Sequence, residues 1–150
     1  MHSKICISFC EDSFVVSFGE AKRFHEEDGK GSDRYLEWLK AKIIKDPESV
    51  VHVWEDNKIV GQIEMGRMKE DPSFGYVSRY YLIPEKRGQG FGALLDQHAM
   101  GYFKKLGLSK VRLSVSPSNA VAISFYKKMG WVDMGPRPGH PHVHLMEKKI

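Results

Sequence analysis

The chain reads as one α/β domain of the α+β kind, with a mixed, mainly antiparallel central sheet and helices on both faces. Three observations predict this. First, the β-like runs Val50–Trp54, Ile59–Met68 and Tyr76–Ile83 follow one another with short polar turns between them. Second, a long amphipathic segment separates Tyr76–Ile83 from the next β-run, Lys110–Ser116, so these two can pair in parallel across it. Third, 150 residues with 41% hydrophobic content suit a single core, which assigns residues 1–150 to one domain.

Taken in order, Lys4–Phe9 is read as a short strand and Asp12–Glu27 as helical. Ser32–Lys45 is read as a helix capped by Ser32 or Asp33 and ended near Asp46-Pro47. Glu55-Asp56-Asn57-Lys58 is a turn by composition, so the runs on either side form a hairpin, and Asp71-Pro72-Ser73 turns the chain into the third strand. Beyond Arg87-Gly88-Gln89-Gly90-Phe91-Gly92, the positions Phe91, Leu94, Leu95, Ala99, Tyr102, Phe103 and Leu106 recur as one helix face requires. Gly107 ends that helix, and Lys110–Ser116 then alternates with Val111, Leu113 and Val115 on one side. A further helix starts at Ser118 or Asn119 and runs to Met129, where Gly130 stops it. Trp131–Met134 and His142–Lys148 are read as final strands around a Gly/Pro-rich loop, Gly135–Pro141. The predicted order is βααβββαβαββ.

The net charge of +4 is unevenly spread. Residues 1–75 hold 11 Lys and Arg against 15 Asp and Glu, and the remainder holds 12 against 4. A basic second half suits an anionic ligand, and an acidic first half suits a cationic one. Nucleic acid is not expected, since no basic run is long enough and no aromatic platform accompanies one. No apolar run nears the roughly 20 residues that span a bilayer, and no secretory or transit segment is evident, so no membrane is expected and a reducing cytoplasm is the expected home. Cys6 and Cys10 have no partner cysteine pair and are read as inert thiols.

The glycine turn carries most of the functional signal. Glycines let the backbone approach phosphate oxygens, a helix start presents unpaired N–H groups, and Arg87 adds a cation. A Walker loop would need Gly-Lys-Ser/Thr, and a dinucleotide fingerprint would need Gly-x-Gly-x-x-Gly with an acid about 20 residues on. Neither is present.

Two motifs together resemble the GNAT superfamily of N-acetyltransferases over roughly Val50–Val132. One is the strand, Pro84-Glu85 and Arg87-x-x-Gly90-x-Gly92. The other is Asn119-Ala120-Val121-Ala122-Ile123-Ser124-Phe125-Tyr126, with Gly130-Trp131 after it. The resemblance implies a GNAT-like acyl-CoA N-acyltransferase fold and acetyl-CoA as cosubstrate, with no metal. It implies that Arg87, Gly88, Gln89, Gly90, Phe91 and Gly92 hold the pyrophosphate. It further implies that Tyr80, Tyr81 and Leu82 bond the pantetheine arm through their main chain, and that Asn119 contacts the cofactor. A plain helix cap is an equal reading of Asn119.

By the same resemblance Tyr126 is the proton donor, since a phenol with an ordinary pKa of about 10 stays protonated at neutral pH. Many relatives place a glutamate base five residues before the asparagine, where this chain has Ser114. Glu64 is the substitute candidate, because its strand should lie beside the one ending at Leu82. His140, His142 and His144 alternate, but same-face strand neighbours lie about 7 Å apart, too far to share one ion easily. The expected function is acetyl transfer from acetyl-CoA directly to an amine of a small molecule or peptide. An inactive acyl-CoA sensor or interaction module with the same fold is the alternative. The acceptor's identity and pairing into a homodimer stay open.

Overall fold

The computed structural model describes residues 2–150. Three helices come first: α1 (Ser3–Phe18), the single turn α2 (Lys22–His25) and α3 (Gly31–Lys45). Then follow β1 (Val50–Glu55), β2 (Lys58–Arg67), β3 (Gly75–Leu82), α4 (Phe91–Lys105), β4 (Lys110–Val115), α5 (Ala120–Lys128), β5 (Val132–Arg137) and β6 (His140–Lys149). Among the described residues the strands form one six-stranded sheet in the order β1-β2-β3-β4-β6-β5, in which only β3 and β4 run parallel. The parallel pair flanks α4, as the hydrophobic spacing predicts.

The apolar stripe of α4 covers one face of the sheet. Leu95, Ala99, Met100 and Phe103 pack there against Ile63, Met65, Val77, Val111, Leu113 and Met146. Phe103 is fully buried, and removing so large a side chain from water contributes about 2–3 kcal/mol. The opposite face carries α1 and α3, with Phe9 of α1 against Ile59 and Tyr81. No helix among the described residues is long and apolar enough to cross a membrane.

Three expectations are corrected. Lys4–Phe9 is helical, not a strand: Ile5 and Ile7 suggest alternation, but Cys6, Phe9 and Cys10 are the buried residues, at helical spacing against the sheet. The order is therefore αααβββαβαββ. Gly135–Pro141 is mostly strand, since β5 continues to Arg137 and β6 begins at His140. β5 is an edge strand, so Pro136 takes no required ladder donor out of the sheet. Ser32 and Asp33 do not cap α3, which starts at Gly31 without a side-chain cap. A Cβ at Gly31 would fall 1.7 Å from the Phe24 carbonyl oxygen, so only glycine fits that close approach.

Candidate functional site

The sheet opens between β3 and β4. Their pairing is confined to Gly75↔Val111, Tyr76↔Arg112 and Val77↔Leu113. On its other side β3 pairs with β2 through a bulge, where Glu64↔Arg79 is followed by Met65↔Val77 and Ser78 is the extra residue. A bulge bends its strand and raises the local twist, which turns the end of β3 away from β4. From Ser78 to Leu82 the β4-facing edge of β3 lacks a strand partner, and the gap is a wedge with its point at Val77 and Leu113.

The wide end of the wedge meets the glycine turn. Gly88 and Gly90 have φ values of 72° and 86°, a conformation that glycine adopts without a Cβ clash. Gly90 precedes α4 and gives it no side-chain cap. Among the described residues the amides of Gly88, Gln89 and Gly90 donate to no protein carbonyl, which leaves a cluster of free donors at a helix start. Gly92 serves packing instead: a Cβ there would lie 2.9 Å from the Phe125 ring of α5. The Arg87 guanidinium braces the turn, donating through Nε to the Leu82 carbonyl at 2.9 Å and through an amino nitrogen to Asp12 Oδ2 at 2.7 Å. Gln89 Nε2 donates to the Glu85 carbonyl at 2.6 Å.

Tyr126 sits on the α4 side of the wedge, its ring centroid 6.3 Å from Tyr80 of β3 and 6.1 Å from Trp131. Burial, and then the nearby Asp96 carboxylate, push its hydroxyl pKa well above the ordinary phenol range. Asp96 is itself buried on α4. It accepts from Tyr80 Oη at 3.2 Å, Trp131 Nε1 at 3.0 Å and Lys148 Nζ at 2.6 Å, tying β3, β6 and the end of α5 to one carboxylate. Asn119 caps α5, its side-chain oxygen accepting from the Ala122 amide at 3.2 Å.

Glu64 lies on the other face, 1% exposed. Its Oε2 accepts from Tyr35 Oη at 2.6 Å, Gln62 Nε2 at 2.7 Å and Arg79 Nε at 3.1 Å. Burial opposes the charge on Arg79, but the Glu64 carboxylate, with smaller contributions from Cys10 and Tyr35, outweighs it, so the guanidinium pKa stays raised. Ser114, the first residue of β4 beyond the wedge point, is bonded to Tyr76 at 2.7 Å and to Arg137 at 2.9 Å. His144 bonds Asp133 at 3.1 Å, while His140 and His142 stack edge to face at 6.2 Å between centroids.

The cofactor candidates Tyr80–Leu82 and Arg87–Gly92 are thus brought together along one edge, with Tyr126 beside Tyr80. Glu64 is held apart from them under α1 and α3. Sequence reasoning missed Asp96, Tyr76 and Arg137. Asp96 had a legible signal, an acid between Gly92 and Ala99 on the apolar stripe of a helix. Tyr76 and Arg137 are 61 residues apart, and only the folded sheet joins them.

Residues 12–131 match the model of a family described as acetyltransferase (GNAT) family. The chain is 28% identical over 126 residues to a mycothiol acetyltransferase of Paenarthrobacter aurescens, covering 81% of this chain and 39% of that protein. It is 32% identical over 57 residues to N-alpha-acetyltransferase 30 of Schizosaccharomyces pombe, 38% of each chain. The chain therefore spans about two fifths of the length of these curated relatives. Among solved structures, the PaiA N-acetyltransferase of Thermoplasma acidophilum in complex with coenzyme A superposes with a TM-score of 0.77 at 23% identity, covering 99% of this chain and 92% of that one. A ribosomal-protein-alanine N-acetyltransferase of Brucella melitensis gives 0.74 at 14% identity, covering 99% and 94%.

Proposed function

The chain belongs to the acetyltransferase (GNAT) family, and from that premise we propose that it transfers an acetyl group from acetyl-CoA directly to an amine. The observation that supports this best is the wedge between β3 and β4 opening onto the free amides of Gly88, Gln89 and Gly90. An extended pantetheine arm fits the unpaired edge at Tyr80, Tyr81 and Leu82 as an added strand would. The diphosphate fits the donors at the start of α4, where Arg87 to Gly92 would surround it. Arg87 supports this mainly by bracing the turn, since two of its nitrogens are already engaged. Asn119 takes part through the α5 cap it forms beside the wedge.

Acetyl-CoA supplies an activated thioester. The amine nitrogen forms the new C–N bond as the C–S bond breaks, the amine releases a proton to water, and Tyr126 hands its hydroxyl proton to the departing thiolate and then takes one back from water. The raised pKa of Tyr126 keeps that proton in place before it is needed. No protein nucleophile is required: burial pushes the Cys6 thiol up to about 11 and the Cys10 thiol up to about 12, which keeps both unreactive and suits a reducing cytoplasm.

Glu64 enters the proposal as the partner of Arg79 instead of as the base. Glu64→Gln is expected to destabilise the fold by about 3 kcal/mol, because it leaves a buried guanidinium without its counter-charge. Denaturant unfolding measures this. Unchanged stability together with a rate loss confined to acidic pH would make Glu64 the base after all. Calorimetry with acetyl-CoA, followed by thiol release on a panel of amines, tests the activity. Tight binding without thiol release would support the acyl-CoA sensor reading, and no binding would refute both.

A further inference from the structure

We infer that Arg137, Tyr76 and Ser114 form a carboxylate-recognising subsite at the point of the wedge, and that the acceptor is an amine that also carries a carboxylate. The inference rests on the proposed acetyl transfer and names its acceptor class.

β3 and β4 cease pairing after Val77↔Leu113, and Ser114 is the next residue on β4. Val77 and Leu113 face α4, so by strand alternation Tyr76 and Ser114 lie on the opposite face, immediately beside the wedge point. An arm running along β3 from Leu82 to Ser78 covers four strand steps, about 13 Å, and brings its far end to this point. The α4 face there is filled by the core, so an acceptor approaches from the Tyr76 and Ser114 side.

One terminal nitrogen of Arg137 donates to Tyr76 Oη at 2.8 Å and to Ser114 Oγ at 2.9 Å, and these two oxygens are 2.7 Å apart. A guanidinium has donors only. Both hydroxyl oxygens accept from it, and one hydroxyl must spend its hydrogen on the other, so the hydrogen left over points outward as a donor whichever way the pair is oriented. A cluster of this kind is suited to hold a negatively charged oxygen and unsuited to take a proton from an ammonium group, whose charge Arg137 repels.

An anion already sits against Arg137. Arg137 donates from its second terminal nitrogen to Glu70 Oε1 at 2.8 Å. The side chain of Arg137 is only 15% exposed, whereas that of Glu70, on the turn between β2 and β3, is 54% exposed. An exposed carboxylate of this kind contributes little to stability and can yield its place, or share the guanidinium, when a substrate carboxylate arrives.

The test compares kcat/KM for free amino acids, their amides, the matching decarboxylated amines and a polyamine. It uses the wild-type protein, Arg137→Gln, Arg137→Lys and Glu70→Gln, with acetyl-CoA calorimetry on each. The wild type is expected to prefer each amino acid over its amide and decarboxylated partner by about tenfold or more, as a charge-assisted bond implies. Arg137→Gln should erase that preference through KM with acetyl-CoA affinity unchanged, Arg137→Lys should restore part of it, and Glu70→Gln should keep it. Equal or better use of amines without a carboxylate, refusal of every amino acid, or a preference surviving Arg137→Gln would overturn the inference while acetyl-CoA binding and turnover still stood. Absence of acetyl-CoA binding in the wild type would instead sink the acetyltransferase reading and this inference with it.

Discussion

Gly90→Asp is expected to weaken acetyl-CoA binding at least about 100-fold, equivalent to about 2.7 kcal/mol. Two effects act together. A carboxylate would stand among the free amides of Gly88 to Gly90 and face the phosphate charge. The backbone at Gly90 also has φ 86°, which a side chain adopts at a cost of about 1–2 kcal/mol. No heavy atom lies within 4 Å of a Cβ built there, so the fold itself should tolerate the change. Calorimetry with acetyl-CoA, beside a melting curve, separates the two. A folded variant with normal cofactor affinity would remove the turn from the site.

Tyr126→Phe is expected to lower kcat about 100-fold with acetyl-CoA affinity unchanged, the usual scale for a positioned proton donor. Its ring is packed between Tyr80, Phe125 and Trp131, and phenylalanine keeps that packing. Because burial and Asp96 raise the hydroxyl pKa, the donor stays protonated across the usual assay range. The wild-type rate should therefore climb with pH as the amine substrate loses its proton, with no falling limb below about pH 10. Turnover unchanged in Tyr126→Phe, or a falling limb near pH 8 in the wild type, would take Tyr126 out of the mechanism.

The glycine turn was legible because its conformational demand is local: Gly88 and Gly90 do adopt positive φ, directly before the helix that the apolar spacing marks. The hairpin of β1 and β2 and the parallel pairing of β3 with β4 were legible for a similar reason, since turn chemistry and alternation are written in neighbouring residues. Lys4–Phe9 was misread because a short apolar run fits both periods, and only the packing of Phe9 on Tyr81 decides between them. Glu64 was found as a residue but not as an ion pair. Its partners Tyr35 and Arg79 lie 29 and 15 residues away and meet it only once α3 covers the sheet. The same holds for Arg137, whose side chain meets Tyr76, 61 residues away in the chain, only in the folded sheet.

The proposed seat of acetyl-CoA is the wedge of β3 and β4 with the turn at its mouth. A crystal structure with coenzyme A bound tests it most directly. The diphosphate oxygens should lie about 3 Å from main-chain amides between Arg87 and Gly92, with the arm bonded along Tyr80 to Leu82. Coenzyme A bound elsewhere, with those amides facing water, would remove the wedge and the turn as its site.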